Sequence, residues 1–248
     1  MKFKKALSIS LIASVLALVT TTASAKDSYI IACDAAYAPF SWEENGKYRG
    51  IDVEVLEAVA KVSDFEYELK PMNFDAVVPG LISGQLDGAI AGINMNDERR
   101  RIMDFSEGYF DSGLSVIVRK DSPVASVDDL KGLKAAVKKG TTGAVFVEDN
   151  EDKYDFDIAY YTSSPETMLA VKNSNADFLL EDYPVIAYQI KIGVQDGLKI
   201  AVPRVAGTPQ YGFAVKKGSQ KELLKKFNDG LKKIKEDGTY QKIVSQYL

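Results

Sequence analysis

Histidine is missing from all 248 residues of the chain. Its absence removes the usual general base, the Ser-His-Asp triad and most zinc sites. Cysteine occurs once, as Cys33, so no disulfide can form within the chain and stability must come from a packed core. After residue 25, no apolar run approaches the ~20 residues that a bilayer-spanning helix needs. Positive charge is in deficit, with 31 Lys and Arg against 35 Asp and Glu. An acidic chain is a poor partner for nucleic-acid phosphates or an anionic bilayer surface. The rest, 46% hydrophobic and 27% charged, is ordinary globular composition.

The first 25 residues stand apart. Lys2, Lys4 and Lys5 form a basic start, residues 6–19 an apolar run, and Ala23-Ser24-Ala25 a small-residue cleavage site. This layout predicts a secretory signal peptide cut after Ala25. A membrane anchor is the alternative, for which the run is short. The segment carries three Lys and no acid, so the mature chain has 28 basic and 35 acidic residues, a net charge of −7. Ile30-Ile31-Ala32-Cys33 loosely resembles a lipid-attachment site. Lys26, Asp27 and Ser28 separate it from the apolar run, and Cys33 reads better as a buried strand residue.

Strands and helices then alternate. Residues 29–33 form a short apolar strand, and Glu44-Asn45-Gly46-Lys47 signals a hairpin. Val53, Leu56, Val59 and Ala60 recur at helical spacing over residues 51–63. Further strands are expected at residues 65–69, 88–92, 114–118, 133–137, 158–161, 178–180 and 211–215. Helices are expected at residues 77–83, with Pro79 near the first turn, at 142–148, after Ser163-Ser164-Pro165-Glu166, and from Tyr183. Leu223, Leu224, Phe227, Leu231 and Ile234 form the stripe of a terminal helix. Such alternation predicts mostly parallel sheets flanked by helices, in two α/β lobes with a cleft between them.

Four segments together resemble one family. They are Asp34-Ala35-Ala36-Tyr37-Ala38-Pro39-Phe40, Gly50-Ile51-Asp52-Val53-Glu54, residues 91–99 with Asp104-Phe105-Ser106, and Tyr211-Gly212-Phe213. The family is that of the periplasmic polar-amino-acid-binding proteins of ABC importers, nearest to the glutamine-binding type. The resemblance runs from residue 29 to 248 and implies the two-lobed periplasmic-binding-protein fold (type II), with discontinuous lobes and a two-strand hinge. Residues 26–110 and 209–248 would form lobe one and residues 111–208 lobe two, with hinge strands near residues 109–113 and 206–211. The implied partners are a transmembrane permease and a cytoplasmic ATPase, the location periplasmic, and the state monomeric, with no cofactor.

Candidate ligand contacts follow from chemistry and resemblance together. Arg99 presents a planar fork suited to a carboxylate, in a helix first turn where a cation has no dipole reason to be. Arg100 and Arg101 serve as solvated controls. Ala91, Gly92 and Asn94 precede that helix and offer backbone groups. The family often has Ser or Thr at position 94, and Asn can accept from an ammonium through its amide oxygen. Lys138-Lys139-Gly140-Thr141-Thr142-Gly143 opens another helix, where Thr142 stands in place of a usual Gly. Glu181 and Asp182 end a buried strand, and Asp182 reads equally as a helix cap. The resemblance assigns Asp182 to the ligand ammonium; at position 181 the glutamine-binding type often has His. Tyr37 and Phe74 would be aromatic walls, with core packing as the alternative. Asp34 and Lys138 would approach the ligand side chain.

With Arg99 and Asp182 opposite the ligand's backbone charges, Asp34, Glu181 and Lys138 leave a net of −1. That ranks glutamine first, arginine or lysine second, and acidic ligands last. A dehydratase with Glu181 as general acid is the enzymatic alternative, but no nucleophile–base pair or metal cluster accompanies it.

Overall fold

The computed structural model describes residues 27–205 and 209–248. The expected signal peptide, and positions 206–208 of the expected hinge, lie outside the described residues.

Two five-stranded sheets organise the chain. The first orders its strands Glu66–Met72, Ser28–Asp34, Gly88–Ala89, Ala214–Lys216 and Met103–Phe105. The second orders Asp157–Tyr161, Lys134–Lys138, Phe178–Asp182, Leu114–Arg119 and Leu198–Val202. In each, three neighbouring strands run parallel and the last two are antiparallel to their neighbours. The expectation of mostly parallel sheets therefore holds for three strands of five. The antiparallel strands Leu114–Arg119 and Ala214–Lys216 are those that follow a crossing between the sheets, and they enter from the opposite end.

The crossings are hydrogen-bonded to each other. Phe110–Asp111 pairs antiparallel with Gln210–Tyr211, and the amides of Tyr109 and Ser112 donate to the carbonyls of Tyr211 and Pro209. Phe40 meets Phe110 and Tyr211 edge-on, each with ring centroids 5.0 Å apart. The joint between the lobes is thus an aromatic, backbone-paired element.

Several local signals appear as read. Asn45 and Gly46 both adopt positive φ in the hairpin between Ser41–Glu44 and Lys47–Arg49. The helix Ile51–Ser63 has the expected limits, and Glu166 accepts from the Ser163 amide in the capping box of Ser164–Lys172. Cys33 is fully buried in its strand, and burial pushes its thiol pKa up. Phe227 stacks on Phe213 at 4.3 Å, tying the helix Lys221–Glu236 to the first sheet.

Other boundaries move. The helix with Pro79 begins at Phe74, so Pro79 lies in its interior rather than its first turn. The expected strand at 88–92 stops at Ala89, because Gly92 turns the chain with φ +56°. The expected strand at 211–215 divides around Gly212. The strand Leu198–Val202 was not anticipated, whereas the helix expected at Arg99 spans Asp97–Ile102 with Asn96 as its cap.

Gly50 shows how backbone shape fixes the entry to the first helix. The amides of Ile51 and Asp52 donate to the carbonyls of Pro39 and Phe40, both at 2.9 Å. Those carbonyls replace the side-chain cap that Gly50 cannot supply. Gly50 has φ +119°, and a Cβ there would lie 2.4 Å from the Phe40 oxygen. Gly50→Ala is therefore expected to cost at least ~1–3 kcal/mol of stability. Chemical denaturation should show a lower midpoint, and an unchanged midpoint would contradict this assignment.

Candidate functional site

The pocket grows out of strand ends. Asp34, Lys138 and Asp182 are the last residues of the strands Ser28–Asp34, Lys134–Lys138 and Phe178–Asp182. Phe74 and Thr142 are the first residues of helices that follow strands. Placing polar groups beyond the carboxyl ends of parallel strands is how open α/β sheets make ligand crevices. Here two such edges face each other.

All eleven anticipated residues line one pocket between the lobes: Asp34, Tyr37, Phe74, Ala91, Gly92, Asn94, Arg99, Lys138, Thr142, Glu181 and Asp182. Leu114, Thr141, Gly143 and Leu180 complete the lining and were not anticipated. Arg100 and Arg101 are exposed, as expected of the controls.

Both lobes contribute to each polar contact that matters. Lys138 forms an ion pair with Asp34 across the cleft, with their side chains only 5% and 3% exposed. Its ammonium lies 4.7 Å from the centre of the Tyr37 ring and 5.5 Å from that of Phe74. Arg99 donates to the carbonyl of Asn94 at 3.1 Å and, across the cleft, to that of Gly140 at 3.0 Å. Its guanidinium sits 5.4 Å over Phe74. Tyr37 and Phe74 thus serve as walls for cations, beyond plain core packing.

The capping reading of Asp182 is not met. It occupies the cap position of the helix Tyr183–Lys191, yet its side chain makes no capping bond. Instead it accepts from Tyr37 at 2.8 Å, Tyr211 at 2.6 Å and Asn94 at 3.1 Å. Burial raises its pKa, while these donors and Arg99 oppose the rise.

Asn94 behaves differently from a Ser or Thr. Its amide nitrogen donates to Asp182 and, at 3.4 Å, to the Thr142 hydroxyl. Its amide oxygen is buried with no partner among the described residues. A buried acceptor left unmatched is costly unless something donates to it. Thr142 itself begins its helix, and the capping bond comes from the Thr141 hydroxyl, which accepts from the Ala144 amide.

Two supporting residues sit in the quoted motifs without having been singled out. Tyr211 bonds to both Tyr37 and Asp182. Asp52 is fully buried; it accepts from the Gly92 amide at 2.8 Å and from the Tyr109 hydroxyl at 2.7 Å. It pins the turn at Gly92, where a Cβ would strike the Tyr37 ring at 2.5 Å. A buried Asp in a first helical turn was the available signal, masked by its equal fitness as a dipole partner.

Glu181 accepts from the Asp182 amide at 2.9 Å. Burial pushes its pKa up to about 7, with Lys138 opposing and Asp182 adding to the rise. Burial likewise pushes Asp52 to about 7, against the bonds from Tyr109 and Gly92. Each group binds its proton more tightly folded than unfolded. Each contribution is therefore complete below the unfolded pKa and lost as pH rises through the folded one. Unfolding free energy should fall between pH ~4.5 and ~7 by on the order of 2–3 kcal/mol per group. Asp52→Asn should flatten that slope in urea titrations, whatever it does to the absolute stability. A parent stability that stays constant or rises across this window would contradict the assignment.

Comparison with known proteins identifies the family and the fold. Residues 29–248 match the model of the bacterial extracellular solute-binding proteins, family 3. A probable histidine-binding protein of Neisseria gonorrhoeae is 33% identical over 100% of this chain and 97% of its own length. An ancestral arginine-binding protein bound to arginine superposes with a TM-score of 0.83, at 34% identity over 90% of this chain and 99% of that one. An ancestral arginine-binding protein bound to glutamine gives a TM-score of 0.81, at 33% identity over 90% and 99% of the two chains. The chain belongs to the bacterial extracellular solute-binding proteins, family 3.

Proposed function

We propose that the protein captures a polar amino acid between its two lobes, glutamine in preference, and delivers it to the permease of an ABC importer. Residues 26–110 with 209–248 act as lobe one and residues 111–208 as lobe two. The protein works as a monomer in the periplasm after loss of its signal peptide, and ATP is hydrolysed on the importer's cytoplasmic side.

The observation that carries this reading is the segregation of the pocket's polar groups. Asp182 and the unpartnered Asn94 oxygen supply acceptors for an ammonium. Arg99 supplies donors for a carboxylate once its fork leaves the two carbonyls it now meets. At the other end, Asp34 and Lys138 already neutralise each other. A side-chain amide can insert there, donating to Asp34 and accepting from Lys138, with no net charge added. An acidic ligand would disrupt that balance at a desolvation cost.

A second reading keeps the role and changes the ligand to arginine or lysine. It is favoured by the relatives named for histidine and arginine and by the extra carboxyl of Glu181. Turnover by Glu181 as a dehydratase acid has less to support it. The relatives compared carry names of binding proteins.

Thermal unfolding of refolded, ligand-stripped protein tests the role. Glutamine at 100 times its dissociation constant should stabilise by about 2.7 kcal/mol. Arg99→Ala should weaken binding by on the order of 2–5 kcal/mol. No stabilisation by any of the twenty amino acids would contradict the proposed role. An Arg99→Ala variant that binds like the parent would contradict the site.

A further inference from the structure

Count the charges buried around the pocket. Asp34 pairs with Lys138. Arg99 and Asp182 face the two ends of an amino acid backbone and balance each other. That leaves Glu181, 7% exposed, as the one carboxyl in the lining without a cationic counterpart of its own. With Glu181 protonated the five groups sum to zero; with it ionised they sum to −1.

The surroundings of Glu181 hold that choice open. On its own strand the neighbour is Asp182, whose amide it accepts from. The adjacent strand Lys134–Lys138 brings Lys138, already engaged by Asp34. On the other side its register partner is Ser115, whose hydroxyl donates to the Pro203 carbonyl instead. The helix Ser164–Lys172 brings the buried Ser164 hydroxyl alongside. From lobe one, Tyr37 is the titratable group facing it, and burial pushes that phenol pKa well up, so it stays neutral. Glu181 therefore has polar contacts sufficient for either form, and no neighbour that forces ionisation.

We infer that Glu181 is the specificity-determining residue of the site, and that its proton selects the ligand's charge class: neutral glutamine when bound, a guanidinium or ammonium side chain when lost. This rests on the amino-acid-binding reading above. Mechanistically, a cationic side chain would enter the slot between Tyr37 and Phe74 that Lys138 now borders. It would take Glu181 as its counter-ion. A neutral amide has no such need, and an ionised Glu181 beside it is an uncompensated buried charge.

The sign follows from linkage. Arginine binding requires ionised Glu181, so its affinity rises with pH and levels off above the group's own pKa of about 7. The ionised fraction changes about tenfold between pH 6 and 8, and arginine affinity should rise by about that factor. Glutamine affinity should hold or fall over the same interval.

Titration calorimetry with arginine and with glutamine at pH 6, 7 and 8 tests this. The arginine-to-glutamine affinity ratio should rise at least about tenfold across the range, and Glu181→Gln should abolish that rise. Should the variant fail to fold, the parent alone suffices. At pH 7, in buffers of different ionisation enthalpy, arginine binding should release about half a proton, and glutamine binding should release none, taking protons up to the extent that its affinity falls with pH. Binding of both ligands with a pH-independent ratio, or an unchanged pH dependence in Glu181→Gln, overturns the inference and leaves the binding role standing. Binding of neither ligand at any pH to folded protein overturns the role and the inference together.

Discussion

Lys138 and Asp34 meet across the cleft with almost no water on either side chain. A buried ion pair repays its desolvation only when geometry is good and its remaining hydrogen-bonding capacity is met. The surrounding architecture meets those conditions. Each partner terminates a strand at the heart of its own sheet, so backbone pairing holds it firmly. The Tyr37 and Phe74 rings flank the ammonium. The pair bridges the lobes; under the function proposed above it is also a polar handle, each member exchanging its partner for a ligand group of matching character.

Much of lobe one can be understood as a mount for that edge of the cleft. Gly92 must turn sharply and must lack a side chain, because the Tyr37 ring occupies the space. Asp52 holds the Gly92 amide and reaches the Tyr109 hydroxyl, next to the crossing strand Phe110–Asp111. Tyr211, on the other crossing strand, bonds to Asp182 in lobe two. The binding segment and the joint between lobes are therefore linked through a few rigid, buried contacts. In such an arrangement, a ligand shifts an open–closed balance by the contacts it makes with both lobes in the closed form.

The two-lobed fold was legible because its signals are local. Helical periodicity in Ile51–Ser63, the Asn45-Gly46 turn and the Ser163–Glu166 capping box depend on residues within a few positions. The eleven anticipated pocket positions were legible only through motif resemblance joined to charge chemistry, and Leu114, Thr141, Gly143 and Leu180 were not. What stayed hidden depends on distant partners. The Asp182 side chain is engaged by Tyr37, 145 residues away, and the Lys138 ammonium by Asp34, 104 residues away. Leu198–Val202 is a half-buried strand at a sheet edge, with a register shift, and owes its form to Leu114–Arg119. Pro79 argued for a later helix start, since a proline removes an interior hydrogen bond. Burial of Phe74, Val77 and Leu81 on one face outweighs that loss.

The central claim is that Asp34 and Lys138 act as one unit toward the ligand's side chain. A double-mutant cycle on glutamine affinity, using Asp34→Asn, Lys138→Met and the double variant, measures this directly. The account predicts a coupling free energy of about 1.5 kcal/mol or more, because each single change leaves the other charge buried and unpaired. Additive effects of the two substitutions would contradict it.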